Sequence, residues 1–377
     1  MNTFKKIVFW THLVAGLVAG TIIFVMSFTG TILAFEDEIV AWAERDVRRV
    51  EVPATGSRLD LEALDAAFAA AHPEVTPTAI TVESDPTAAV TFAVGRNDAY
   101  YVNPYTGEVR QPASNRMHDF MHTMVAWHRW LGREGDSRTI GKAITGASNT
   151  AFVLLALTGL YLWWPQAWRM PTLRRSIFFV RSQTSKARDW NWHNVIGFWL
   201  LIPIIIMALT GMVISYRWAG NLIYQAVGEE PPVRRGPRGA ESSPSGEGMT
   251  TSAPSLDSIY VAATTDQPAW KSLNVRLPVM ATASVSVKVP GTWPRTASTE
   301  LTVADGIVTE RSDFGDLTTG RQLRTWSRFL HTGQALGWGG QLIAGIGCIG
   351  GCFLVYTGFA LSWRRFFGRK TGKVTTP

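Results

Sequence analysis

The stretch "DWNWHNVIGFW", residues 189–199, sets His193 between tryptophans at the mouth of an apolar run that continues to Tyr216. An ionisable side chain at the edge of a membrane-length segment is costly unless it has a partner. The fold therefore turns on how many such segments exist and what their histidines bind. Four stretches reach the roughly 17–25 mostly apolar residues that a bilayer crossing needs: Ile7–Phe35, Ile140–Trp164, Val195–Tyr216 and Gln341–Trp363. Of 377 residues, 46% are hydrophobic, 17% are charged and 16 are Trp, and Trp flanks each run as an interfacial belt does.

Charge gives an orientation. The first run follows Lys5 and Lys6 and ends in Glu36, Asp37 and Glu38. It is too long for a signal peptide and lacks a small-residue cleavage site at its end, so a retained helix is expected. Between the second and third runs, Arg169, Arg174, Arg175, Arg181, Lys186 and Arg188 face the single acid Asp189. After the fourth run come Arg364, Arg365, Arg369, Lys370 and Lys373 with no acid. The positive-inside rule puts both termini and the middle loop in the cytoplasm, in agreement with an even number of spans. The long segments 36–139 and 217–338 then lie outside, in the periplasm of a bacterium with this chain in its inner membrane. The formal charge of +7 is thus a topology signal and gives no reason to expect nucleic acid. The only cysteines, Cys348 and Cys352, share one helix face inside the fourth run and read as packing residues.

The chain is written twice. His12 is followed by Gly16 four residues on and by the Gly of Thr29-Gly30 18 residues on; His193 is followed by Gly197 and by the Gly of Thr210-Gly211 at the same offsets. Both offsets return close to the starting face of a helix. The second run ends "LTGLYLWWP" and the fourth "YTGFALSWRR", and each is preceded by an aromatic, basic stretch with histidine: "MHDFMHTMVAWHRWLG" and "RTWSRFLHTGQALGWGG". The outside segments match too. "LDLEALDAAFAAAHP" has helical periodicity and "AITVE", "AAVTFAV" and "AYYVNPYTGEV" read as strands; "SLDSIYVAATT" with "WKSLNVRLP", "ASVSVKVP" and "TELTVADG" repeats the pattern.

The fold class expected is membrane α-helical, with four transmembrane helices in two internal repeats and two small α+β modules outside. In order, the parts are a first span 1–35, a module 36–113, an interfacial histidine segment 114–139, a span 140–164, a basic loop 165–190, a span 191–216, and a second module 217–323. A histidine segment 324–338, a span 339–363 and a tail 364–377 follow. Residues 229–255 form a Pro/Gly/Ser-rich connector inside the second module.

Of seven histidines, His72 reads as surface structure. His12, His118, His122, His128, His193 and His331 all lie in or beside membrane segments. An isolated interfacial histidine is commonly only a hydrogen-bonding residue. Two that recur at matched depth in repeated helices, each with glycine one turn along, point instead to a flat porphyrin: imidazole supplies the ligand and glycine the room. His12 with Gly16, and His193 with Gly197, would hold one haem near the cytoplasm. Outside, His331 would pair with His128, with His122 the alternative and His118 the third candidate. "FMHTM" resembles "FLHTG" and favours His122, whereas "HRWLG" leading into the span favours His128. Arg116, Arg129, Arg324 and Arg328 lie near these residues and either pair with propionates or form a solvated rim. No Cys-x-x-Cys-His occurs, so the haem expected is non-covalent, b-type. No zinc or calcium pattern, nucleotide loop or serine nucleophile motif appears.

On "WTHLVAGL", "VNPYTGEV", "HRWLG", "LTGLYLWWP", "WHNVIGFW" with "LTGMVISY", and "LHTGQALGWGGQ" with "YTGFALSWRR", the chain resembles the PepSY-associated transmembrane proteins over nearly its whole length. Among these are ferrisiderophore reductases of the FoxB type. The resemblance implies a four-helix inner-membrane protein with periplasmic PepSY-type modules. In the reductase branch it implies two haems b that pass electrons outward to a ferric siderophore, the matching residues being His12, His193, His331 and one or more of His118, His122 and His128. With no flavin reductase module in the chain, the donor would be a quinol or a separate reductase. Two other functions compete: haem b electron transfer to another periplasmic acceptor, and a haem-free PepSY-type scaffold that binds peptides or regulates a protease.

Overall fold

A computed structural model of the chain describes residues 2–95, 98–165, 169–232 and 253–368. Most of the 229–255 connector and the tail cations Arg369, Lys370 and Lys373 lie outside the described residues. Contacts divide the chain into two units, one of Met1–Glu36, Phe120–Leu222 and Trp326–Pro377, the other of Asp37–Asp119 and Ile223–Thr325.

The first unit is helical. Thr3–Leu33, Arg138–Trp163 and Trp338–Phe367 are continuous helices of 31, 26 and 30 residues, each apolar and long enough to cross a bilayer. The third apolar run is different. It forms two helices, Ser185–Trp199 and Leu201–Ser215, bent by 65° at Leu200, and the pair passes the membrane test only together. Pro203 accounts for the break: it has no N–H to give the carbonyl of Trp199, and its ring presses on that carbonyl. The last helix meets its neighbours through glycine. A side chain on Gly345 or Gly351 would strike Phe35 or Ser27 near the first helix, and one on Gly347 or Gly350 would strike Met207 or Leu200 of the bent pair. Absence of side chains on two faces lets one helix approach both partners closely. Polar side chains inside the bundle are satisfied by backbone across it: Asn149 donates to the Ala208 carbonyl at 2.8 Å and Gln341 to the Ala34 carbonyl at 3.0 Å.

The second unit corrects one expectation. Its two halves are not separate modules, because their strands join in a single eight-stranded antiparallel sheet. The strands are β1 (Ala79–Glu83), β2 (Val90–Val94), β3 (Asp98–Val102), β4 (Val109–Arg110), β5 (Ser272–Arg276), β6 (Ala283–Lys288), β7 (Thr299–Ala304) and β8 (Ile307–Ser312), in the order β4-β3-β2-β1-β5-β6-β7-β8. β1 and β5 pair at the centre over Ala79↔Arg276 to Glu83↔Ser272. A lone four-stranded half would leave β1 or β5 as an unpaired edge, and joining them removes both edges. The helices Leu61–Ala71 and Leu256–Asp266 cover one face of the sheet. Leu64, Phe68, Ile80, Phe92, Ile259, Leu273, Val285 and Val303 fill the core between them, almost fully buried. The helix starts cap each other: Asp257 Oδ1 accepts from the Leu61 N–H at 2.6 Å, and Glu62 Oε1 from the Leu256 N–H at 2.8 Å. Each acid thus satisfies a donor that the partner helix leaves orphaned.

Candidate functional site

Four of the six membrane-associated histidines meet in two pairs within the first unit. The rings of His12 and His193 are 6.4 Å apart between centroids, with planes at 86°, and those of His128 and His331 are 6.2 Å apart at 62°. All four are half-buried.

Local sequence explains how the second pair is delivered. His128 lies in the last turn of the helix Arg116–Trp130 and His331 in the last turn of Thr319–Thr332. Glycines with left-handed backbone follow each: Gly132 at φ 70° and Gly333 at φ 79°. The chain then folds back tightly into the next long helix. Gly141 abuts the Trp130 carbonyl and Gly340 the Gly333 carbonyl, so closely that neither could carry a side chain without a backbone shift.

Each imidazole is held in the same way. His12 Nδ1 is 2.9 Å from Thr158 Oγ1, with the Leu155 carbonyl beside the ring; His193 Nδ1 is 2.9 Å from Thr357 Oγ1, with the Leu354 carbonyl beside the ring. His128 Nδ1 is 3.0 Å from the Met26 carbonyl and 3.1 Å from Thr29 Oγ1. For His331 the corresponding groups are the Met207 carbonyl at 2.9 Å and Thr210 Oγ1 at 3.4 Å. In every case the threonine stands three residues after the carbonyl and directly before a glycine. Cε1 of each ring lies against that glycine: Gly159 for His12, Gly358 for His193, Gly30 for His128 and Gly211 for His331. The Thr-Gly dipeptides in the four apolar runs are therefore four cradles, each holding a histidine from another helix. The threonines belong to the site but were not among the expected site residues; the signal was there, in the recurrence of Thr-Gly in all four runs.

Gly16 and Gly197 sit beside Leu155 and Leu354, the residues whose carbonyls face His12 and His193. Arg129 and Arg328 are exposed and stack over Trp130 and Phe329. Arg116, Arg324 and His122 are exposed as well. Next to the inner pair, Asp189 is fully buried one turn before His193 and binds Arg188 at 2.9 Å and Arg364 at 2.5 Å.

His118 is engaged elsewhere, in the second unit. Its Nε2 is 2.6 Å from Oε1 of buried Glu44, whose Oε2 accepts from Arg48 at 2.8 Å and from the Tyr101 hydroxyl at 2.8 Å. Burial alone would raise the Glu44 pKa, but the hydrogen bonds from Tyr101, Arg48 and His118 outweigh it and hold the carboxyl below its ordinary value. Glu44 and His118 line a polar cleft with Asp98, Gln111, Ser114 and Asn115.

Paired imidazoles inside a bundle of membrane-length helices define a class: an α-helical membrane protein with two histidine pairs among its helices. Within that class, the profile of the PepSY-associated TM region matches residues 9–365, and the chain belongs to this family. No curated protein matches the chain.

Proposed function

We propose that the chain is a di-haem b reductase of the bacterial inner membrane, which moves electrons outward to a periplasmic ferric siderophore and releases its iron as Fe(II). In this reading the bent pair crosses as one span, four spans leave both termini and the basic loop in the cytoplasm, and the eight-stranded unit is a fused pair of PepSY-type modules in the periplasm.

The observation that carries the reading is the two imidazole pairs, each ring tied down at Nδ1 and with Nε2 lacking a hydrogen-bond partner among the described residues. Two imidazoles are too few donors for a zinc or calcium site, and no group of three or more His, Cys, Asp or Glu suited to a metal occurs among the described residues. A tetrapyrrole brings four donors of its own and needs only axial ligands. With ring centroids 6.4 and 6.2 Å apart, His12 with His193 and His128 with His331 would each hold one such group.

When bound, haem b would supply a reversible one-electron iron couple at each pair. His12 and His193 would hold the inner group, His128 and His331 the outer. Gly16 and Gly197 would leave room one turn from the inner ligands, and Arg129 and Arg328 are suited to propionates. Along the first helix, His12 and the Thr29 that holds His128 are about 25 Å apart at 1.5 Å per residue, so the two sites divide a crossing of about 30 Å. No acid–base dyad is required. Fe(II) binds the hard oxygen donors of a hydroxamate or catecholate more weakly than Fe(III), so electron delivery is enough for release. A quinol or separate reductase would supply the electrons.

The test is a reduced-minus-oxidised spectrum with pyridine haemochrome quantitation on the detergent-purified chain. The expected result is about two haems b per chain, with one lost in His12→Ala and in His193→Ala. Colourless protein from haem-replete cells would overturn the reading and favour a peptide-binding scaffold.

A further inference from the structure

We propose that Thr29, Thr158, Thr210 and Thr357 are positioning residues that fix all four imidazoles in one tautomer, with the proton on Nδ1 and the lone pair on Nε2. The argument is a count of donors. Each threonine hydroxyl gives its own proton back along its helix, to the carbonyl four residues before: Val25 at 2.7 Å, Leu154 at 2.7 Å, Ile206 at 2.6 Å and Phe353 at 2.7 Å. With that proton committed, the oxygen can only accept. For His128 and His331 the second group facing Nδ1 is a backbone carbonyl, which can never donate. An unprotonated Nδ1 would therefore face these oxygens with no hydrogen between them. Nδ1–H is the arrangement in which every facing oxygen meets a hydrogen, and it aims a bare Nε2 lone pair away from the cradle.

One cradle of this kind could be chance packing. Four, built on different helices with the same three-residue step from carbonyl to threonine and the same glycine beneath Cε1, make a repeated device. The glycine lets the ring lie on the helix; the carbonyl and the hydroxyl then set its proton. A hydrogen-bonded Nδ1–H also makes the opposite nitrogen a stronger donor, and losing such a partner costs about 10–100-fold in metal affinity. That use of the lone pair rests on the haem reading, whereas the tautomer does not.

The experiment therefore has two readouts on the full chain. The first is ¹⁵N NMR of histidine-labelled protein grown without haem supply, assigned with single histidine substitutions. His12, His128, His193 and His331 are expected as Nδ1–H tautomers. Thr158→Val should shift the tautomer ratio of His12 by roughly 2- to 10-fold, the worth of one hydrogen bond, leave the other three unchanged, and be rescued by Thr158→Ser. Thr210→Val should have the weakest effect, because its contact is the longest. Nε2–H tautomers at these positions in the native chain, or a ratio indifferent to all four valine substitutions, would overturn the proposal. The second readout is the reduction midpoint of each haem in the loaded protein. Thr158→Val is expected to raise one midpoint and Thr29→Val the other, with the serine variants at the native values; midpoints unmoved by valine would overturn the threonines' effect on the lone pair, while the NMR result decides the tautomer. A colourless native chain would sink the haem reading, and the NMR result would still decide the tautomer.

Discussion

His118 and His128 stand ten residues apart on one helix, yet the structure gives them different work. His118 spends its Nε2 on Glu44, while His128 is anchored by Nδ1 and faces His331. Under the proposed di-haem reading, His118→Ala and His122→Ala should keep two haems and His128→Ala lose the outer one, as read by haemochrome quantitation; loss of haem in His118→Ala alone would reverse that assignment. The carboxylate partner carries a pH dependence. Glu44 has its folded-state pKa held below the ordinary 4.5, so its contribution to stability is complete above that value and is lost as the pH falls through the lower, folded one. Glu44→Gln should therefore cost about 1–3 kcal/mol near neutral pH, and the difference from the native chain should shrink as the pH falls below the ordinary 4.5 and through the lower folded value. Hydrogen exchange at the β3 amides measures both; a cost independent of pH would mean that the carboxylate's charge is irrelevant.

At the scale of elements, glycine decides what the helices can do. Gly141 lies against the Trp130 backbone, so a side chain there must move either the turn after His128 or the helix that follows. Gly141→Val should displace His128 from its cradle and lower outer haem occupancy while the His12–His193 pair keeps its own. Equal loss at both sites, or none, would show that the turn does not position His128. Much of this was legible in the sequence. Apolar run length gave the long helices, alternation gave the strands, and matched offsets from His12 and His193 gave the repeat. The bend at Leu200 was not expected, although Pro203 was visible, because a run of apolar residues looks the same whether its helix is straight or broken. Thr-Gly recurs in all four runs, but which histidine each threonine holds was hidden for another reason. Thr158 holds a histidine 146 positions away and Thr357 one 164 positions away, and contacts so distant leave no local periodicity. The pairing of β1 with β5 escaped on the same ground: each half reads as a complete small module, and only the unpaired edge of each demands the other.

At the scale of the whole molecule, the two halves share both of their products. Each pair takes one histidine from each half of the chain, and each half contributes four strands to one sheet. Neither half can then build a complete site alone, and the two sites lie at opposite ends of the first helix. Under the proposed di-haem reading, transfer across the bilayer should in consequence need both sites in series, whereas reduction at the outer face should need only His128 and His331. In sealed vesicles of native orientation, with reductant restricted to the cytoplasmic side, the native chain should reduce a ferric hydroxamate on the far side, trapped as a ferrous chelate. His12→Ala should abolish that transfer while retaining an outer haem that dithionite reduces at once. The same variant passing electrons at the native rate would mean that the inner pair lies off the path, and the serial arrangement would have to be abandoned even with both haems present.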